Sequence, residues 1–246
     1  MEIFDMSIEQ IRGEINKKPN DGLLYYYLAK KLFSRSLNDI DTLEEVKNDL
    51  NKAIKLAPNL YMAHFLLGRI HLLMKNNSGA EEEFRKAMAI KPDSLLAKEY
   101  IGKCLSIHDP IDMNKKSIRD TFYLLENEIR RFIEMRLKNE LKENWLRDGV
   151  PQRIRGEWAK RREEGLEEEN SLSLLHFADF HDYRGIMENN KVFFASYLNI
   201  KKWQERLGEL EPIRNALAHS RPIPKEAEKK VKDYYTEFMN ISGLVK

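Results

Sequence analysis

The sequence predicts an all-α chain of two domains, an α-solenoid followed by a helical bundle, and three observations carry that prediction. A helix-pair pattern recurs at a fixed interval in the first half. Apolar residues return at helical spacing through the second half. No segment alternates apolar and polar residues as a half-buried strand would. The 246 residues are enough to bury a core in each half, and the single Cys104 excludes a disulfide scaffold and argues for a reducing compartment. Lys and Arg total 42 against 40 Asp and Glu, a formal charge of +2, which implies no strong overall attraction to nucleic acid. The opening MEIFDMSIEQ has acids where a secretory leader would have bases. The most apolar stretch, Ala63 to Met74, is interrupted by Arg69 and two histidines and falls short of the ~20 residues a bilayer requires. The expectation is a soluble cytoplasmic protein without membrane contact.

The repeat is read from KAIKLAPN at 52–59 and KAMAIKPD at 86–93, which place Pro58 and Pro92 34 residues apart, with Gly68 and Gly102 at the same offset. A third ending, EINKKPND, sets Pro19 39 residues before Pro58, and SRSLNDIDT absorbs the extra five. The prolines follow helices they cannot join. Helices are expected near 6–17, 22–36, 42–56, 60–75, 79–90 and 94–107, about two and a half repeats. Leu67, Gly68, Ala80, Phe84, Ala87 and Pro92 make the unit from Tyr61 onward resemble a tetratricopeptide repeat (TPR). The resemblance implies a concave groove for a protein partner; a spacer or dimerisation arm is the structural alternative. The unit from residue 22 departs from the pattern, with Ala29 where Gly68 stands. His64 and His71 share a helical face, as a metal pair would, but lack an acidic neighbour in the sequence and read as packing residues.

Residues 108–114, HDPIDMN, have linker composition and divide a domain at 1–110 from one at 111–246. Between Arg130 and Arg162 lie eleven basic and five acidic residues. Such an excess suits a phosphate backbone, with Arg130, Arg131, Arg153 and Arg155, and Arg221 further on, as candidate RNA contacts; the alternative is a solvated helix face with i,i+4 ion pairs. Phe122, Leu125, Ile129, Ile133, Arg136 and Leu137 mark one long amphipathic helix. Ile154 and Trp158 are four apart in the next, SLLHFADFHDYRGIMENN reads as two short helical pieces, and PKEAEKKVKDYYTEFM closes the chain as another helix. Trp145, Trp158 and Trp203 suit either base stacking or the core, and His176 and His181 sit in an aromatic block that favours packing.

The string IRNALAHSRP holds Arg214, Asn215 and His219. On one helix Asn215 and His219 share a face, while Arg214 stands about 140° from His219. Two such helices meeting at a two-fold axis would let each cleft collect histidine from one copy and arginine from the other. Pro212 is expected to kink or restart the helix just before Arg214, exposing N–H groups that attract an anion. Otherwise Arg214 pairs with Glu209 or Glu211, and His219 only caps the helix end.

The order LLENEIRRFIEMRL, GVPQRIRGEW, LLHFADFHDYRGIMENN and a tryptophan-bearing helix ending in RNALAHSRPI resembles a HEPN domain, of the type at the C-terminus of RNA-surveillance endonucleases, over about residues 115–242. The resemblance implies a helical bundle that dimerises through its motif helix, often a metal-independent ribonuclease of toxin–antitoxin or antiviral systems and sometimes only a binding module. It assigns His219 as general acid–base, Arg214 as phosphate clamp and Asn215 as orienting group, with no cofactor and no metal. The implied reaction uses the RNA 2′-hydroxyl as nucleophile and leaves a 2′,3′-cyclic phosphate. A non-catalytic TPR/HEPN interaction module is the alternative.

Overall fold

A computed structural model describes residues 3–35, 40–107, 116–165, 169, 171–219 and 221–242. The chain divides into two compact units, Met1–Ile107 and His108–Lys246. Among the described residues no strand occurs, and no helix is long and apolar enough to cross a membrane.

Among its described residues the first unit holds six α-helices: α1 (Ile8–Lys17), α2 (Gly22–Arg35), α3 (Ile40–Leu56), α4 (Tyr61–Leu73), α5 (Asn77–Ile90) and α6 (Leu95–Ile107). Their principal contacts run between consecutive helices, as a solenoid requires. Local chemistry sets the ends. Ser7 opens α1 with a reciprocal cap, its hydroxyl accepting from the Gln10 N–H while its own N–H donates to the Gln10 side chain. Asn76 opens α5 by accepting from the Gly79 N–H. Pro58 and Pro92 stand in the turns that follow α3 and α5. The loop expected to absorb five extra residues lies partly at 36–39, outside the described residues.

Packing explains the small-and-large pattern of the repeat. A Cβ added at Gly68 would lie 2.6 Å from the Phe84 ring, so α4 and α5 approach closely only because position 68 has no side chain. Phe84, Ala80 and Ala87 are fully buried, and Phe84 lies against Phe65 and Tyr100. Ala29 is equally buried, among Val46, Leu50 and Ala53, so α2 packs on α3 with alanine where the next repeat has glycine. His64 is a packing residue with a charged partner after all: its Nδ1 lies 2.7 Å from Glu83 Oε2 of α5, and its Nε2 lies 3.1 Å from the Pro58 carbonyl oxygen. The sequence hid that acid because it lies nineteen residues away, on the facing helix.

The second unit is built round α7 (Ile118–Leu141), opened by Ser117, which accepts from the Asp120 N–H. There follow α8 (Trp145–Gly149), α9 (Gln152–Glu164), a 3₁₀ turn Leu174–Phe177, α10 (Phe180–Asn189), α11 (Lys191–Phe194), α12 (Ile200–Ala218) and α13 (Lys225–Ser242). Helix α7 packs on α8, α10, α11 and α13, and α12 lies between α10 and α13. Phe132 of α7 meets Phe194 and Phe238, and Trp203 of α12 meets Phe238. Trp158 and Trp203 are wholly buried, which takes both out of contention for base stacking. Arg136, in the apolar stripe of α7, lays its guanidinium 3.4 Å over the Tyr197 ring. The linker read at 108–114 lies outside the described residues.

One expectation fails here. Pro212 neither breaks nor restarts its helix, for α12 runs unbroken from Ile200 to Ala218. Buried residues on both sides of the proline, Trp203, Leu207 and Leu210 before and Ile213 and Leu217 after, hold the two segments to one packed face. No new helix start therefore exists beside Arg214, and the anion site expected from exposed N–H groups is absent.

Candidate active site

The RNALAH segment forms the C-terminal end of α12 and carries Arg214, Asn215 and His219 there. Asn215 and His219 are exposed, one turn apart, and His219 ends the helix, its N–H donating to the Asn215 carbonyl at 3.2 Å. The Arg221 N–H closes the end by donating to the Ala216 carbonyl at 2.8 Å, the six-to-one bond of a helix terminus. Arg214 points elsewhere. Its side chain keeps 34% of its surface exposed, and it pairs with neither Glu209 nor Glu211. Its Nη1 donates to the Asn215 side-chain oxygen at 3.3 Å, and its Nη2 stands 3.4 Å from Asp179 Oδ1. Glu209 is instead engaged by Lys230 and Tyr234 of α13.

Asp179 stands just before α10 and also meets Arg161 of α9, whose Nη2 is 2.9 Å from its Oδ2. A second carboxylate, Asp182, is buried one turn on and receives Trp158 Nε1 at 2.8 Å and the Asp179 N–H at 2.9 Å. Arg161 also donates to the Phe177 carbonyl at 2.8 Å. Beneath these groups Tyr183 is fully buried, and that burial pushes its hydroxyl up to about 12; the Arg130 and Arg214 cations pull the other way. Arg130 donates to that hydroxyl from its Nε at 3.3 Å.

The candidate RNA contacts disperse. Arg130 is buried against Tyr183, Asn127 and Glu126, so it is not the surface contact that its place in the basic run suggested. Arg131 and Arg153 are exposed but pair with Glu128 and Glu157 at 3.2 and 2.9 Å. Arg155 donates to the Val150 carbonyl at 3.0 Å, and Arg221 is exposed beyond the end of α12. Ion pairs at i,i+4 spacing, among them Lys138 with Glu134 and Arg153 with Glu157, account for part of the basic run. His176 Nδ1 lies 3.1 Å from the Ser173 carbonyl oxygen at the entrance to its own 3₁₀ turn, and His181 is exposed.

Residues 120–241 match the family model described as Swt1-like HEPN, and residues 63–94 match a tetratricopeptide repeat. The second unit carries a Swt1-like HEPN domain. No curated protein matches the chain. Within the HEPN domain, the motif helix is α12 and the block LLHFADFHDY forms the 3₁₀ turn and the start of α10 that faces it. Reasoning from the sequence missed Asp179, Asp182 and Arg161. A signal for the first two was present, since acids three residues apart at the entrance to a helical stretch mark a capped start. Their meeting with an arginine 35 residues later in the chain was not readable from spacing.

Proposed function

We propose that the HEPN domain is a metal-independent endoribonuclease that cuts single-stranded RNA, and that the TPR domain recruits a protein partner or supports a homodimer. What supports this reading is one helix end that carries exposed Asn215 and His219, a turn apart, beside a part-exposed Arg214 bonded to Asn215. An imidazole ordinarily titrating near pH 6.5 suits proton transfer at neutral pH. His219 takes the proton of the RNA 2′-hydroxyl, the freed oxygen attacks the adjacent phosphorus, and the 5′-oxygen leaves, protonated by an acid such as a second copy of the same imidazole. The products are a 2′,3′-cyclic phosphate and a 5′-hydroxyl. Arg214 offsets the charge that builds on the phosphorane, and Asn215, bonded to it, steadies its pose. Internal attack needs no separately bound nucleophile, and DNA, lacking the 2′-hydroxyl, is bound at most.

Arg131, Arg153, Arg155 and Arg221 supply weaker phosphate contacts outside the cleavage site. Residues 1–110 and 111–246 act as separate modules, one for a partner and one for RNA, in a cytoplasmic setting. Purified protein incubated with end-labelled RNA in EDTA should give cyclic-phosphate ends, and His219→Ala should abolish them. Equal cleavage by that variant would remove His219 from the mechanism. Absence of cleavage by the wild type, with partner binding altered by Arg214→Ala, would favour a non-catalytic interaction module.

A further inference from the structure

The geometry points to Asp179 as the positioning residue of this site, the group that holds Arg214 in its working pose; the inference rests on the reading of Arg214 as the phosphate clamp. Arg214 ends a long side chain with much rotamer freedom, and a clamp that wanders loses the advantage of pre-organisation. Within its own helix it has only the Asn215 oxygen, at 3.3 Å. Its other bond crosses to Asp179.

Asp179 is itself fixed from two sides, one of them anchored further back. Its backbone N–H donates to Asp182 Oδ2, its Oδ2 receives Arg161 Nη2, and Arg161 is anchored in turn on the Phe177 carbonyl. Asp182, with only 5% of its side chain exposed, is held by the buried Trp158 indole and lies 3.5 Å from Arg161 Nη1. A rigid frame from α9 and the start of α10 thus presents one carboxylate oxygen to α12. The two bonds to Arg214 use two of the five guanidinium donors, and the remaining three are available to a phosphodiester. Asp179 and Asp182 together balance the charges of Arg161 and Arg214, so a phosphodiester is met here by the free guanidinium N–H groups.

Asp179→Asn isolates this role, because asparagine opens a helix about as well as aspartate and α10 keeps its start, while the charge facing two arginines is lost. The test uses the full chain and reads three things: the Arg214 Nε–Hε resonance, assigned through Arg214→Lys; RNA cleavage; and affinity for a 2′-O-methyl oligonucleotide that cannot be cut. Asp179→Asn should broaden or shift the Arg214 resonance and slow cleavage about 100-fold, with oligonucleotide affinity changed much less. Added to Arg214→Ala, it should cost nothing further, since its effect passes through that arginine. An Arg214 resonance indifferent to Asp179→Asn, or cleavage by that variant at the wild-type rate, overturns the inference. A resonance that responds while no form of the protein cuts RNA overturns the nuclease reading and leaves Asp179 as the anchor of Arg214.

Discussion

At the residue scale, the proposed chemistry and the stability rest on different side chains. His219 is exposed and ends its helix, so His219→Ala should move the folding free energy by no more than about 0.5 kcal/mol while lowering cleavage at least ~100-fold; parallel urea melts and RNA assays separate the two. Asp49 of α3 shows the reverse. Burial first, and the neighbouring Glu45 second, push its carboxyl up to about 6, against the pull of Arg12 and Lys52. One of its oxygens is buried without a hydrogen-bond partner among the described residues. A carboxyl that binds its proton more tightly folded than unfolded makes the protein gain stability as pH falls from about 6 toward 4, and makes the charge a burden above that window. Asp49→Asn should therefore stabilise the protein by about 1 kcal/mol at pH 8, after allowance for solvent screening. Melting temperatures should converge at pH 3.5, and a stabilisation equal at both pH values would rule out the charge as its cause.

At the scale of the element, α12 and the α4–α5 pair show what can be read ahead of a structure. The Gly68 and Phe84 pairing was legible because repetition puts the two residues at fixed places in a known helix pair, and the fold brings them into contact. Phe84→Ala should cost about 3–5 kcal/mol, measured by urea unfolding, because the neighbouring rings of Phe65 and Tyr100 cannot close the space. The behaviour of Pro212 was not legible. Propensity rules describe a helix by itself, whereas α12 is held by burial on both sides of the proline. Pro212→Ala should therefore add about 1–3 kcal/mol of stability with cleavage unchanged; cleavage lost in that variant would mean the proline shapes the catalytic end. The Arg214, Asn215 and His219 set was readable as a string, but the frame behind it was not. Asp179 and Arg161 reach Arg214 from other elements, and burial of Arg130 against Tyr183 depends on how α7 meets α10.

For the whole molecule, the proposed symmetric cleft makes a prediction no single chain could satisfy. If each site draws histidine from one copy and arginine from the other, mixing Arg214→Ala and His219→Ala subunits, each inactive alone, restores about one quarter of wild-type cleavage, since half the dimers are mixed and each has one complete site of two. No recovery after verified subunit exchange would place both groups in the same copy. With a formal charge of only +2, RNA affinity should depend on Arg214 and the four arginines outside the cleavage site, so its decline with salt should have a slope no steeper than that of about five phosphate contacts. The first unit has a consequence of another kind. Its helices lean chiefly on their chain neighbours, so inserting or deleting a whole helix pair disturbs two seams and no distant one. A descendant chain could thus gain or shed a helix pair in this unit while the remaining pairs keep their packing.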